Sequence, residues 1–310
     1  MRPVVKQLDH LIARKEADAR PLFELLTGTL GLPVAWPFRS YPSFTSGGVA
    51  LGNLYLEVLS CAPRRDASAR FAALAFEADL LEDSVRELDG RGIPRGPATS
   101  YVQREANGSK TKLYANAILG KMLGRSFWID YMIMLGRLPG ASKMADPGRG
   151  GWAIRFGLDK VMNGHLVFLV EYAYGHFKDL PHWSEFKTHE EKRSADKASL
   201  QACGGGALGV ESVKEVWAKV RSAPWAQKRW AKFLGPEAET SPGLWEIADG
   251  PAVRLVQSSE SGISTLVLKV ASRQRAETFL SEQGMLGAIE EGWSSIAPEK
   301  IYRLDVRLVE

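Results

Sequence analysis

Two ionisable side chains, His10 and Glu57, stand inside short apolar segments of this sequence. His10 lies within residues 8–12, and Glu57 lies within residues 54–59. Short apolar runs bounded by turn-forming residues are typical of β-strands. A carboxylate in a buried strand is costly unless a cation or a hydrogen-bond donor meets it. His10 and Glu57 are therefore the first candidates for a shared site.

The composition is that of an ordinary soluble globular protein, with 45% apolar and 25% charged residues. A length of 310 residues suits two domains that each bury a core. The net charge is +4, but no long Lys/Arg block occurs, so nucleic acid is not an expected partner. Cys61 and Cys203 lie far apart and outside any CxxC pattern, which excludes a disulfide framework. With no signal-peptide core and no bilayer-spanning run, the sequence predicts a cytoplasmic protein without a membrane partner.

The strands that carry His10 and Glu57 belong to a unit that recurs along the chain. A strand, a helix and further strands follow one another within residues 6–60, and the same order begins again at residue 70. Two more units follow after residue 205. The predicted first strands are 6–13, 71–76, 207–210 and 263–270. The predicted helices are 18–30, 79–88, 213–233 and 273–283. The predicted last strands are 54–59, 166–172, 252–256 and 301–308.

This order resembles the vicinal oxygen chelate superfamily, also called the glyoxalase, bleomycin-resistance and dioxygenase fold. The resemblance is carried by Leu8-Asp9-His10-Leu11-Ile12-Ala13, Gly31-Leu32-Pro33-Val34 and Tyr55-Leu56-Glu57. It implies an α+β fold in which four βαβββ units pair into two glyoxalase-like domains, with mixed curled sheets and helices outside. The implied first domain spans residues 1–175, built from units 6–60 and 70–175. A linker at 176–204 leads to a second, degenerate domain at 205–310.

The second unit is longer than the first because of an insertion around residues 120–150. Its apolar segment, residues 127–135, is too hydrophobic to lie open to water. We expect either an inserted helix over a pocket or a surface that pairs with a second copy, as in a homodimer.

In metal-binding members of the superfamily, the first and last strands of a unit each present one ligand. The resemblance therefore implies that His10, Glu57 and Glu171 are metal ligands. The fourth place falls near Ala72 or Ala73, neither of which can ligate. In the second domain the corresponding places fall near Gly205 or Gly206, Gln257, Thr265 and Asp305. No histidine follows His189, so a second metal site is not expected.

One histidine with two carboxylates suits a divalent metal such as Fe, Mn, Ni or Zn. Such a metal would polarise a substrate carbonyl, and Glu57 or Glu171 would act as the catalytic general base. The expected function is a metal-dependent small-molecule enzyme, a lyase, isomerase or dioxygenase, with its site in the first-domain cleft. The alternative is a non-catalytic protein of the same fold that binds or sequesters a small molecule, because the fourth ligand is missing.

A purely structural explanation is also open, in which His10 is a satisfied core histidine and both glutamates lie on solvated strand faces. Against it, each glutamate stands among bulky apolar residues on its own alternating face. Both also occupy the same relative place in their units.

Other polar motifs carry less weight. Gly204-x-Gly206-x-x-Gly209 matches a dinucleotide fingerprint, but it follows a polar segment rather than a strand, so we reject it. His165, His176, His182 and His189 cluster in sequence, and His176 is a candidate for the missing ligand or for an acid/base role. The charged residues 187–197 are expected to form a solvated surface.

Overall fold

The computed structural model describes residues 3–15, 17–40, 44–60, 68–104, 110–120, 166–174, 185–248 and 250–310. In the first half these residues form β1 Gln7–Lys15, α1 Arg20–Glu24 with a π-helical turn Leu25–Thr29, β2 Val34–Ser40, β3 Thr45–Ala50, β4 Tyr55–Ser60, β5 Ala69–Glu77, α2 Leu81–Gly90, β6 Thr99–Arg104, β7 Lys110–Ile118 and β8 Leu166–Tyr172.

Helix α3, His189–Ala202, joins the two halves. The second half contains β9 Val210–Val220, α4 Ala223–Leu234, β10 Glu239–Ser241, β11 Leu244–Trp245, β12 Ala252–Gln257, β13 Gly262–Val270, α5 Arg273–Glu282, β14 Leu286–Glu290, β15 Trp293–Ile296 and β16 Asp305–Val309. Short 3-10 turns occur at Pro236–Ala238 and Pro298–Lys300.

The strands form two mixed sheets of eight strands each. The first has the order β2-β3-β4-β1-β5-β8-β7-β6, and the second has the order β10-β11-β12-β9-β13-β16-β15-β14. In each sheet the two central strands are antiparallel, and each pairs on its other side with a parallel strand. The topology confirms the predicted α+β fold of paired βαβββ units with curled mixed sheets. The proposed domain boundaries stay a prediction.

The central strands of the first sheet alternate between two faces, as the pleat requires. Leu11, Leu56, Leu74 and Val167 come from four neighbouring strands, and all are buried on one face. This face joins a core cluster that continues into the second half, where the ring of Phe76 contacts Trp230 and Phe233 of α4. The opposite, concave face of the first sheet carries His10 and Glu57.

The helix predicted at 213–233 is wrong in its first half. Residues Val210–Val220 are strand β9, and the helix is Ala223–Leu234. Val216, Ala218 and Val220 are buried at every second position, which is the strand period rather than the helical one. The strand predicted at 207–210 is mostly turn, and the β14–β15 hairpin was not predicted.

Two predicted features cannot be compared with the structure. The apolar segment 127–135 and the surrounding insertion lie outside the described residues.

Among the helices that the structure does describe, none is long and apolar enough to cross a membrane.

Candidate ligand site on the first sheet

His10 and Glu57 meet on the concave face of the first sheet. Strand β1 pairs in parallel with β4, and the register sets His10 opposite Tyr55 and Ile12 opposite Glu57. His10 Nε2 lies 3.5 Å from Glu57 Oε2. Their side chains are 8% and 14% exposed, so the pair is largely shielded from water. The structure therefore brings together two of the three predicted site residues.

A β-bulge at Asp9 positions the histidine. Leu8 pairs with Phe76 and His10 with Ala75, which leaves Asp9 as an extra residue in β1. A bulge places consecutive side chains on one side of a strand. Asp9 Oδ2 consequently lies 2.7 Å from His10 Nδ1. A carboxylate on Nδ1 fixes the tautomer of a histidine and directs Nε2 toward its own partner, here Glu57.

Asp9 is fully buried and is held as a carboxylate by its neighbours. Tyr172 Oη donates to Asp9 Oδ2 at 2.7 Å, and Arg193 Nη2 donates to Oδ1 at 2.7 Å. Burial opposes ionisation, but the His10 hydrogen bond and the Arg193 charge outweigh it and hold the pKa of Asp9 well below its usual range. The sequence signal for Asp9 was its place beside His10, and we did not assign it a role.

Glu57 is held from its other side by strand β3. Ser46 Oγ donates to Glu57 Oε1 at 2.5 Å, and Trp36 Nε1 donates to Ser46 Oγ at 3.3 Å. One carboxylate oxygen is thereby fixed, while the other faces His10. The two side chains are thus presented in one defined orientation.

The register of β1 and β5 identifies the other two positions of the site. A local two-fold relates His10 to Ala73, because His10 pairs with Ala75 and Ile12 pairs with Ala73. The same two-fold relates Ile12 to Ala75. Because Glu57 pairs with Ile12 and Phe168 pairs with Ala75, Glu57 corresponds to Phe168. Ala73 lies where a fourth ligand was expected to be missing. Phe168 therefore occupies the last-strand position for which the sequence analysis proposed Glu171, and its ring contacts the His10 ring edge-on at 5.4 Å.

The structure does not bring Glu171, the predicted third ligand and general base, to this pair. Glu171 lies three positions beyond Phe168, and an odd offset along a strand reverses the face. Its Oε2 accepts from the backbone N–H of Leu81 at 2.6 Å, at the first turn of α2, and it forms an ion pair with Lys112. A carboxylate there satisfies a free N–H group at a helix N-terminus. Glu171 is therefore a helix cap.

Helix α3 covers one end of the concave face. Most of residues 187–197 are exposed or half-exposed, as expected, but the expectation of a solvated surface is wrong at two of them. Lys192 and Arg193 are buried against the sheet. Lys192 Nζ lies 3.8 Å from the centre of the Tyr55 ring and also bonds its hydroxyl, which in turn donates to Asp196. Helical spacing alone did not reveal this contact, because the helix is polar on every side and its partners lie far away in sequence.

Burial under α3 changes the acidity of the groups beneath it. Desolvation lowers the pKa of Lys192 to about 8, although Asp196 and Asp9 oppose the change. Desolvation also raises the pKa of Tyr55 well above its usual value, with Asp196 adding to the effect. The charged groups at this end of the face therefore contact one another and the sheet beneath α3.

The remaining part of the concave face is half-buried. Ile12, Glu57 and Phe168 are each partly exposed and lie on the same side of three strands. This surface combines an apolar patch with one carboxylate and an adjacent imidazole. Such a combination is typical of small-molecule sites, in which few polar groups orient a ligand against an apolar wall.

Only two of the four site positions carry a side chain that could bind a metal ion. His10 Nε2 and a Glu57 oxygen are suitable donors for a divalent metal, but Ala73 and Phe168 supply none. Within the described ranges, no group of three or more His, Cys, Asp or Glu side chains is arranged to hold a metal ion. Protein zinc sites use three or four protein ligands, so any metal here would need ligand oxygens to complete it.

The histidine cluster contributes one described member. His189 Nδ1 lies 2.5 Å from Glu77 Oε2, at the start of α3. His165, His176 and His182 lie outside the described residues.

The sheet order and the paired units are those of the vicinal oxygen chelate fold, which confirms the resemblance in fold. The chain is similar to a Mn(II)-bound glyoxalase from Novosphingobium aromaticivorans, with a TM-score of 0.51 and 8% identity over 98% of this chain and 81% of that one. It is also similar to a variant of homoprotocatechuate 2,3-dioxygenase from B. fuscum (TM-score 0.51, 10% identity, 99% of this chain and 72% of that one).

A hypothetical protein from Staphylococcus aureus matches nearly end to end, with a TM-score of 0.52 and 10% identity over 97% of this chain and 98% of that one. No protein-family model and no curated protein matches the sequence. At identities this low the structural likeness shows the fold alone, so the reaction has to be argued from this chain's own residues.

Proposed function

We propose that the chain is a small-molecule enzyme of the vicinal oxygen chelate type, with its site around His10 and Glu57 on the concave face of the first sheet. The observation that carries the proposal is the 3.5 Å approach of His10 Nε2 to Glu57, with Asp9 behind the imidazole. An oriented imidazole beside a carboxylate and an apolar wall is suited to proton transfer on a bound ligand.

In this site the protein groups have separate roles. Asp9 holds the His10 imidazole, so that Nε2 can accept or donate a proton toward the ligand. Ser46 holds one oxygen of Glu57 and leaves the other to act as a hydrogen-bond acceptor. Ile12 and Phe168 supply the apolar surface against which the ligand packs. An isomerase or a lyase reaction would use this proton transfer directly.

His10 Nε2 and Glu57 are also the residues that would hold a divalent metal, with Mn, Fe, Ni and Zn as candidates. Such a metal supplies Lewis-acid polarisation of ligand oxygens. Because this chain offers two donors, we expect weak binding of metal alone and stronger binding when a chelating ligand is present.

The second candidate is a non-catalytic binding protein of the same fold. Ala73 and Phe168 favour it, because they put a methyl group and a phenyl ring where further polar groups would stand. A phenyl ring beside His10 enlarges the apolar wall and removes a ligand position.

Metal titration of four proteins tests the metal-assisted form of the proposal. Mn(II) binding is measured by water-proton relaxation for the wild type, His10→Ala, Glu57→Gln and the control Glu171→Gln, with and without oxalate as a chelating anion. The metal-assisted form expects binding that oxalate strengthens, that both site variants lose, and that Glu171→Gln retains. No Mn(II) binding by the wild type under either condition, or equal binding by all four proteins, overturns the metal-assisted form.

A further inference from the structure

The second sheet repeats the geometry of the first residue by residue. In β9 an extra residue, Lys214, separates the Val213–Leu268 pair from the Glu215–Val267 pair. In β1 the extra residue Asp9 stands at the same place relative to its partner strand. Matching the two bulges aligns the central strands of both sheets without a gap.

The alignment identifies what the second sheet carries at the four site positions. His10, Glu57, Ala73 and Phe168 correspond, in that order, to Glu215, Arg254, Thr265 and Arg307. Thr265 lies where the sequence analysis expected a site position, and Arg254 and Arg307 were not anticipated. Two guanidinium groups therefore replace a carboxylate and a phenyl ring at the centre of the second concave face.

Arg254 is held in a fixed plane by Glu215. Its Nε and Nη2 donate to the two carboxylate oxygens at 2.5 and 2.7 Å, and Trp217 Nε1 donates to Oε2 at 2.7 Å. Burial opposes ionisation of Glu215, but the Arg254 and Trp217 hydrogen bonds outweigh it and lower its pKa. Glu215 is 12% exposed while Arg254 is 36% exposed, so the carboxylate forms the floor and the guanidinium faces outward.

Arg307 is stacked between aromatic rings. Its Cζ lies 4.7 Å from the centre of the Trp217 ring and 4.1 Å from that of Trp293. Asp305 contacts Nε and Nη2 at 3.3 Å, and Thr265 Oγ1 donates to Asp305 Oδ2 at 2.7 Å. Stacking on indole restricts the guanidinium while leaving its edge available.

The edges of both guanidinium groups are available to a ligand. The Nη1 groups of Arg254 and Arg307 make no hydrogen bond to any described residue. Arg307 is 23% exposed, and Trp217 and Trp293 are half-buried on the same side of the sheet. Lys219 lies two residues beyond Trp217 in β9 and adds a positive charge. Among the described residues, neither Glu215 nor Asp305 forms an ion pair with it.

We propose that the concave face of the second sheet binds a small aromatic carboxylate. The carboxylate would accept hydrogen bonds from Nη1 of Arg254 and Arg307, because planar guanidinium groups match carboxylate geometry. The aromatic ring would lie against Trp217 and Trp293, which prefer a flat partner. This site does not depend on His10 or Glu57 and goes beyond the function proposed for the first sheet.

Benzoate is the probe, and its binding is followed by saturation-transfer NMR and by tryptophan fluorescence of the full chain. Cyclohexanecarboxylate tests the need for a flat ring, and inorganic phosphate tests simple attraction of anions. Arg307→Met and Arg254→Lys are the site variants, since the second keeps the charge beside Glu215. Arg275→Met on the exposed side of α5 is the matched control, and His10→Ala reports on the first sheet.

We expect saturable benzoate binding that Arg307→Met and Arg254→Lys each weaken about ten-fold or more, because each loses a charge-assisted hydrogen bond. Arg275→Met and His10→Ala should bind as the wild type does, and phosphate should not compete. Absence of saturable binding overturns the proposal. The proposal is also overturned if both site variants bind benzoate with wild-type affinity, or if cyclohexanecarboxylate binds as tightly as benzoate. Competition by phosphate at equal concentration would overturn it too. Loss of binding in His10→Ala alone would move the benzoate site to the first sheet and overturn it as well.

Discussion

Asp9 decides what His10 can do, although His10 is the residue that the sequence makes conspicuous. The Asp9 carboxylate is fully buried and is hydrogen-bonded to the side chains of His10, Tyr172 and Arg193. Removing one partner of a buried ionic group leaves the others uncompensated, which is strongly destabilising. Asp9 therefore connects the stability of the concave face to the orientation of the candidate base.

We expect Asp9→Asn to lower the free energy of unfolding by about 3–5 kcal/mol at neutral pH, because Arg193 loses its buried counter-charge. The folded-state pKa of Asp9 lies below the ordinary value of 3.8, so its stabilisation is present above that pH and is lost as the pH falls through the folded pKa. The gap between wild type and variant should be constant near neutrality and shrink below about pH 4.

Urea unfolding at a series of pH values measures this gap. Asp79→Asn is the control, because Asp79 is 77% exposed in its pair with Lys6 and an exposed pair contributes about 0–1 kcal/mol. A gap that is absent at neutral pH, or that does not change between pH 7 and pH 3, would contradict the role assigned to Asp9.

Strand β3 positions Glu57 through the Ser46 hydroxyl and through the absence of a side chain at Gly48. Gly48 pairs with Glu57, and a Cβ atom on Gly48 would lie 2.3 Å from the Trp36 indole. The indole must pass over the strand to bond Ser46, which in turn holds Glu57. Glycine at this position is therefore required by close approach.

We expect Gly48→Ala to lower the free energy of unfolding by about 1–3 kcal/mol, because the added methyl displaces Trp36 from a packed position. Denaturant midpoints followed by circular dichroism measure the effect. Gly28→Ala is the matched control: a Cβ at Gly28 meets no atom within 4 Å, and the segment is helical. That change should be neutral or stabilise by up to about 1 kcal/mol. Equal midpoints for the two variants would refute the steric argument.

Strands and helices were predicted correctly where the spacing of apolar residues fitted one period only. The prediction was wrong where the same residues fitted both the helical and the strand period. Residues 6–13 and 54–59 are short, apolar and bounded by turns, so β1 and β4 were found together with the His10–Glu57 pair. Residues 213–220 carry Trp and Val at positions that satisfy a helix as well as a strand, and the helix was chosen wrongly. The face that Glu171 occupies could not be predicted for another reason: a strand is easy to locate, but which face a residue occupies depends on its register with the neighbouring strands.

The contribution of α3 to the site could not be predicted from local pattern. Its cations resemble a solvated surface, and only the folded chain shows that they meet Asp9 and Tyr55. The bulge at Asp9 was equally hidden, because a bulge is a property of two paired strands.

At the scale of the whole molecule, the two halves share one core. Arg91 at the end of α2 donates from Nη1 to the carbonyls of Lys232 and Phe233 at the end of α4, at 3.1 and 3.0 Å. The last carbonyls of a helix have no partner within the helix, and a cation there also complements the helix dipole. Arg91 thus joins a helix of the first half to a helix of the second.

We expect Arg91→Met to destabilise the protein by about 3 kcal/mol, because two hydrogen bonds from a buried charged group are lost. Since the core is continuous, circular dichroism and tryptophan fluorescence should report one unfolding transition that moves as a whole. Arg86→Met on the same helix is the control: its side chain is 68% exposed and pairs only with neighbouring residues, so we expect a change within about 0.5 kcal/mol. Separate transitions for the two halves would contradict the shared core.

The matching bulges at Asp9 and Lys214 have a consequence for the history of the chain. A bulge is one inserted residue, and its occurrence at the same register position in both central strand pairs is economically explained by an insertion that preceded a gene duplication. The ancestral half-length protein then already carried the kink that turns two neighbouring side chains toward one cleft. The same kink now carries a buried acid, Asp9, in one sheet and an exposed base, Lys214, in the other.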